Sequence, residues 1–101
     1  MIKVLYEVRD GRYVSLSVSG HADYGEYGKD LICASVSSVM FGFLNALDAL
    51  EEDVRIEQKK NKIIVTDHSS SEVVQDYFEL VMTQMKTIEV SYGDFIKVER
   101  K

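Results

Sequence analysis

A histidine at position 21 and a cysteine at position 33 are the side chains best suited to nucleophilic chemistry, and Cys33 is the only cysteine of this 101-residue chain. A thiol with the ordinary pKa of about 8.5 is only about 3% ionised at pH 7, so a cysteine nucleophile needs a neighbour that favours the thiolate. A helix N-terminus and a nearby imidazole both have that effect. We therefore interpret Cys33 as a candidate nucleophile and His21 as the base that accepts its proton and later protonates a leaving group.

Three further residues around this pair are candidates for a supporting role. Ser37 lies one helical turn beyond Cys33, so its hydroxyl could hydrogen-bond to the sulfur or to a substrate. Asp30 could either cap the helix that carries Cys33 or orient His21, and a carboxylate suits both roles. Gly20 ends the strand that leads to His21. Main-chain N–H groups at the start of the helix could stabilise an oxyanion.

Other interpretations of these residues stay open at the level of sequence. A lone cysteine on an apolar helix is more often a small core residue than a nucleophile. The residues that a metal site would combine are His21, Asp23, Cys33 and His68. Their spacing matches no recognised pattern of metal ligands, so we predict neither a metal nor another cofactor. His68 follows Asp67 in a polar stretch and is better explained as a loop residue than as part of the site.

The composition indicates one folded domain over residues 1–101, because 46% of the residues are apolar and 29% are charged. A net charge of −5 argues against direct binding of nucleic acid and favours a basic partner. We find no apolar run long enough for a membrane span and no signal peptide, so we expect a cytoplasmic protein without membrane contact. A single cysteine agrees with a reducing compartment.

The first half of the chain predicts a β-hairpin followed by a loop and a helix. Residues 2–8 are rich in β-formers, and Asp10-Gly11 is a strong hairpin turn signal before a second strand that ends near Gly20. Residues 22–29 show no apolar periodicity and predict a loop. Asp30 is a good N-cap for a helix of roughly 20 residues, which places Cys33 in the first helical turn.

The second half of the chain predicts another pair of strands and a helix, followed by one or two final strands. Two short strands near residues 54–56 and 63–65 flank a polar turn. Ser69 stands three residues before Glu72, the spacing of a capping box, and predicts a second helix that ends near Lys86. Residues 88–92 and 95–99 alternate in polarity and predict one or two final strands with a break at Gly93-Asp94.

This element order, ββαββαβ, predicts an α+β fold in which two amphipathic helices cover one face of a mostly antiparallel sheet. The apolar residues at helical spacing supply the expected core. The four residues that we expect to be buried are Phe43, Leu47, Phe78 and Val81.

The run from residue 20 to residue 37 resembles the signature of the ribosomal-processing cysteine proteases, the Prp (YsxB-like) family. The matching residues are Gly20-His21-Ala22, Tyr24, Glu26 to Asp30, Cys33-Ala34 and Val36-Ser37. The length and the element order of the rest of the chain also agree with the family. Asp23 differs, since a small residue is expected at that position.

The resemblance implies that His21 and Cys33 form a catalytic dyad. It further implies a cytoplasmic bacterial endopeptidase, homodimeric, that removes the short N-terminal extension of large-subunit ribosomal protein twenty-seven by cutting after an aromatic residue. An acidic protein should attract such a lysine-rich substrate.

Two other functions are consistent with the residues alone. One is a dimeric module, without enzymatic activity, that binds a basic ribosomal or assembly partner. The other is a redox-sensing protein in which the thiol of Cys33 is oxidised but hydrolyses no peptide.

Overall fold

The computed structural model describes residues 1–20 and 27–101, and for residues 27–30 it describes the backbone alone. Within these residues the elements are β1 (Ile2–Arg9), β2 (Arg12–Gly20), α1 (Tyr27–Leu50), β3 (Val54–Lys59), β4 (Lys62–Asp67), α2 (Glu72–Tyr92) and β5 (Ile96–Arg100). The predicted α+β fold and its order, ββαββαβ, are therefore confirmed.

The strands form one sheet in the order β3-β4-β2-β1-β5. The pairs β1–β2, β2–β4 and β3–β4 are antiparallel, whereas β1 and β5 are parallel, with Ile2 opposite Ile96. The predicted turn at Asp10-Gly11 is present, and both residues have positive φ, 54° and 74°. A type I′ hairpin turn requires that geometry, which explains why Asp-Gly joins the first two strands.

The core lies between one face of the sheet and the two helices. Alternate residues of the strands are buried there, because successive side chains of a strand point to opposite faces. The sheet contributes Ile2, Val4, Leu16, Val18, Val65 and Ile96. The four residues predicted from the helices, Phe43, Leu47, Phe78 and Val81, are all buried, and this prediction is confirmed.

The segment Leu31–Leu50 of α1 is long and apolar enough to cross a membrane by length and composition, with a mean hydropathy of 1.6. The sequence-based expectation that no segment reaches this limit is therefore wrong. In the fold the helix buries Ile32, Val36, Met40 and Leu47 against the sheet and α2. Packing in the core accounts for only part of this hydropathy, because 33% of the segment is buried and Leu31 and Phe41 are 54% and 50% exposed.

The start of α1 corrects one prediction. The helix begins at Tyr27 rather than just after Asp30, so Asp30 lies within the helix and is not its N-cap. Cys33 consequently lies in the second helical turn, not in the first. Apolar periodicity could not reveal the extra turn because the residues of a helix's first turn need not face the core.

The cap of α2 differs in detail from the predicted capping box. The N-cap is Ser71, whose hydroxyl accepts a hydrogen bond from the N–H of Val74 at 3.2 Å. Ser69 instead donates its hydroxyl to the carboxylate of Asp67 at 2.6 Å. Three residues separate the end of β4 at Asp67 from the cap at Ser71, and the carboxylate of Asp67 binds the earlier serine, Ser69.

The end of α2 overturns a second prediction. Residues 88–92 continue the helix to Tyr92 and form no strand. Ile88 follows the fully buried Met85 by three residues, so it extends the apolar stripe of the helix, whereas Val90 is 88% exposed. The alternation of β-forming residues at 88–92 therefore resembled a strand pattern, although these residues are helical. The predicted break at Gly93-Asp94 is present, and a single strand, β5, follows it.

Polar contacts attach α2 to the sheet at the end of β2 that is remote from Gly20. The side chain of Gln75 accepts from the N–H of Tyr13 at 2.7 Å and donates to the carbonyl of the same residue at 2.9 Å. Burial, and then a hydrogen bond to Glu79, raise the pKa of the Tyr13 phenol to about 12. The phenol therefore stays protonated at neutral pH and keeps donating to that carboxylate.

Candidate active site

A groove of about 330 Å³ lies beside Cys33, between the first half of α1 and one end of the sheet. The residues that line it are Ile2, Val18, Gly20, Cys33, Val36, Ser37, Phe41, Gln58, Lys59, Asn61 and Ile63. Cys33 forms no disulfide and is partly exposed. Its thiol therefore borders a space that can hold part of a ligand, which a fully buried core cysteine would not do.

The helical side of the groove follows one stripe of α1. Cys33, Ser37 and Phe41 succeed one another at intervals of four residues, so their side chains share one face of the helix. This placement puts Ser37 next to Cys33 on the groove wall, as the spacing predicts. Ser35 does not line the groove, and its hydroxyl donates to the carbonyl of Leu31 at 2.8 Å.

The start of α1 at Tyr27 changes what the helix can contribute to the site. Only the first four N–H groups of a helix lack intrahelical acceptors, and the positive end of its dipole acts mainly over the first turn. Cys33 lies six residues beyond Tyr27. The oxyanion donors that we expected at the helix start therefore lie about one turn before Cys33 rather than at the cysteine itself.

The sheet side of the groove depends on Gly20. Its N–H donates to the carbonyl of Asn61 at 3.1 Å, which joins the end of β2 to the turn between β3 and β4. Its φ is +84°, and a Cβ at this position would stand 2.3 Å from the carbonyl oxygen of Met1. Only glycine avoids both the backbone strain and this collision with the start of β1.

We expect Gly20→Ala to destabilise the protein by about 2–4 kcal/mol, since it combines left-handed backbone strain with a contact that one strand must move to relieve. Gly11→Ala is the matched control. Gly11 also has a positive φ, +74°, but a Cβ there would meet nothing within 4 Å. Urea unfolding of both variants measures the difference, and equal losses would contradict the importance of the close contact.

Several predicted site residues are not placed by the structure. His21 and Asp23 lie outside the described residues, as do the loop residues 22–26 and the side chain of Asp30. His68 is exposed after β4, where its N–H donates to the carbonyl of Asp53 at 2.9 Å, and it does not line the groove. Over residues 1–20 and 27–101, no group of three or more potential metal ligands is found.

Charge is distributed unevenly between the groove and the rest of the molecule. Among the described residues that line the groove, Lys59 is the one with a charged side chain. A second hollow, near the C-terminal end of α1, is lined by Asp48, Glu51 and Glu52. The described walls of the groove thus carry no carboxylate, whereas the second hollow carries three.

The sequence predicted only part of the groove. Phe41 was missed, although its spacing of eight residues from Cys33 is a signal that could have found it. Gln58, Lys59 and Asn61 were also missed, and no local signal marks them. They reach the groove because β4 pairs with β2, a long-range contact that brings the β3–β4 turn to Gly20.

Comparison with known proteins defines the family. The family model for Cysteine protease Prp matches residues 1–97 of the chain. This chain belongs to the Prp family of cysteine proteases. The ribosomal processing cysteine protease Prp of Staphylococcus aureus is 30% identical over 106 residues and is covered completely, as is the present chain. That of Mycoplasma pneumoniae is 30% identical over 88 residues, which cover 83% of this chain and 84% of the relative.

The fold agrees with a solved structure of the same family. The crystal structure of Prp from S. aureus in complex with a covalently linked product peptide has a TM-score of 0.90 and 31% identity, with both chains covered completely. Another structure of S. aureus Prp contains a substrate peptide, with a TM-score of 0.90 and 30% identity. Family membership thus favours a cysteine protease over the binding module and the redox sensor that composition alone left open.

Proposed function

We propose that this protein is a cytoplasmic endopeptidase that removes the short N-terminal extension of large-subunit ribosomal protein twenty-seven, cutting after an aromatic residue. The observation that carries the proposal is the partly exposed thiol of Cys33 on the wall of a peptide-sized groove, in a member of the Prp family. The S. aureus relative binds a substrate peptide, which supports an extended peptide as the ligand of this groove.

The proposed chemistry is acyl transfer through Cys33. The thiol gives its proton to His21, and the sulfur attacks the scissile carbonyl carbon. When the C–N bond breaks, His21 returns the proton to the leaving amine and an acyl-enzyme remains. His21 then takes a proton from a water molecule, the resulting hydroxide attacks the thioester, and the thiolate leaves and is reprotonated.

One observation supports His21 as the partner of Cys33, and a second supports Cys33 as the nucleophile. Gly20, the residue covalently bonded to His21, lines the same groove as Cys33. The product peptide in the S. aureus relative is covalently linked, which is the kind of adduct that a cysteine nucleophile forms. Ser37, on the same wall, is positioned to donate a hydrogen bond to the sulfur or to the substrate backbone. Asp30 has the proposed role of orienting His21, since it does not cap α1.

Net charge supports a basic substrate. The chain carries −5, and Asp48, Glu51 and Glu52 place negative charge near the C-terminal end of α1, outside the groove. Long-range attraction of this kind raises the rate of encounter with a lysine-rich protein and weakens as salt is added.

A second copy of the chain is the other proposed partner. An apolar groove of about 400 Å³ runs between α1 and α2, and its lining includes Val39, Tyr77 and Leu80. Leu80 is 59% exposed, and burial of such a side chain would favour association. Sedimentation equilibrium of the purified protein distinguishes a homodimer from a monomer.

The test of the proposed function uses a synthetic peptide that spans the junction between the extension and the mature ribosomal protein. We expect a single cleavage after the aromatic residue, detected by mass spectrometry of both products. The control peptide carries alanine at the aromatic position and should be cleaved at least about tenfold more slowly, because a large apolar contact is lost. Equal cleavage of both peptides would contradict the proposed specificity.

A further inference from the structure

An exposed aromatic side chain lines the same groove as Cys33, eight residues further along α1. Phe41 is 50% exposed, whereas Phe43, the other phenylalanine of α1, is only 6% exposed. Phe41 lines the groove together with Cys33 and Ser37. A large apolar surface left open on the wall of a groove is a site where a ligand gains affinity by covering it.

We propose that Phe41 is a specificity-determining residue that contacts an apolar side chain of the substrate at the fourth or fifth position before the scissile bond. The inference rests on the proposed function, since it assigns a substrate position to the far end of the same groove.

The length of the groove sets the position of that side chain. Cys33 and Phe41 are eight residues apart on α1, so a rise of 1.5 Å per residue separates them by about 12 Å along the helix axis. An extended peptide advances about 3.3 Å per residue, and three to four residues span this distance. The residue that carries the scissile carbonyl is the first before the cut. A substrate whose scissile carbonyl meets Cys33 therefore has its fourth or fifth residue before the scissile bond beside Phe41.

The lining of the groove sets the chemistry of that side chain. Ile2, Val18 and Val36 form an apolar floor, with 3%, 9% and 4% of their surface exposed. Among the described lining residues there is no carboxylate, and Lys59 contributes a positive charge. A lysine or arginine of the substrate would lose hydration here and meet a like charge, whereas an apolar side chain would cover Phe41.

The positive charge of Lys59 also indicates which part of the substrate, before or after the scissile bond, lies in the groove. The mature part of the proposed substrate is rich in lysine, and the groove has no described group that would pair with lysine. The extension, which precedes the cut, is therefore the part that lies along the stripe from Cys33 to Phe41.

The test measures kcat/KM for a set of peptides that share the aromatic residue before the cut. Leucine, alanine or lysine is placed in turn at the fourth and fifth positions before the scissile bond. We expect the wild-type protein to prefer leucine to alanine at one of these positions by about tenfold, as expected when a buried apolar contact is lost. Lysine at the same position should be cleaved more slowly still.

Two variants then assign this preference to Phe41. Phe41→Ala should cleave the leucine and alanine peptides at nearly equal rates, and Phe41→Glu should prefer lysine to leucine. Val73→Ala is the matched control, since Val73 is an apolar helical residue of similar exposure, 46%, that does not line the groove. It should keep the wild-type preference.

Each remaining outcome rejects a defined part of the proposal. If Phe41→Ala keeps the full leucine preference, Phe41 does not determine specificity. If the wild type cleaves every peptide equally well, the subsite is wrong while the proposed function stands. If the wild type cleaves none of them, the proposed function and the subsite fail together.

Discussion

Cys33→Ser is expected to lower kcat/KM for the junction peptide by at least about a thousandfold, because loss of a nucleophile removes the covalent path and leaves only binding and electrostatic effects. A serine hydroxyl is far harder to deprotonate than a thiol, so the neighbouring base cannot restore the reaction. The fold should be retained, since the substitution replaces one small atom on a partly exposed position of α1. Mass spectrometry of the peptide products measures the loss.

Ser35→Ala is the matched control for this variant. Ser35 lies two residues from Cys33 on the same helix, but its hydroxyl bonds to the carbonyl of Leu31 and does not line the groove. We expect this variant to cleave at close to the wild-type rate. Unchanged cleavage by Cys33→Ser would reject the proposed nucleophile, and a large loss in Ser35→Ala would show that the helix does not tolerate substitution near Cys33.

Phe43→Ala is expected to lower the free energy of unfolding by about 3–5 kcal/mol, the usual cost of removing a large aromatic side chain from a core. Phe43 is buried and its ring meets that of Phe78 edge to face, with centroids 5.2 Å apart. The substitution therefore removes both apolar burial and the contact that joins the two helices over the sheet. Equilibrium unfolding in urea gives the loss.

The structure provides a control of the same residue type on the same helix. Phe41 lies two residues before Phe43 but is half exposed, so Phe41→Ala should cost about 1 kcal/mol or less. The two variants differ only in which face of α1 loses its ring. Similar losses for both would contradict the burial of Phe43 and the orientation of the helix.

Local signals were sufficient for most elements of the fold. Asp10-Gly11 needs no tertiary contact to form its turn, because the positive φ angles of both residues define the hairpin. The apolar stripes of both helices likewise predicted the buried residues, since only one face of each helix can meet the sheet. Helical spacing alone predicted that Cys33 and Ser37 share one face of α1, because they are four residues apart.

Local sequence patterns failed to predict the structure where a strand pattern and a helix pattern coincide, or where segments distant in the sequence meet. Ile88, Val90 and Tyr92 alternate as a strand would, yet they extend α2 because Ile88 also continues its apolar stripe. The opposite wall of the groove comes from the turn between β3 and β4, which sequence spacing cannot relate to Cys33. Parallel pairing of β1 with β5 is also a property of the complete sheet, and no local pattern specifies it.

That parallel pairing has a consequence for the order of events during synthesis. β5 follows every other described element in the chain, yet Ile96 is fully buried and its neighbour Phe95 accepts a hydrogen bond from the N–H of Ile2. Ile2 also lines the groove beside Cys33. Translation must therefore proceed beyond residue 96 before β1, already paired with β2, gains β5 as its second neighbour. The part of the groove that Ile2 lines is thus completed only after every other described strand has been synthesised.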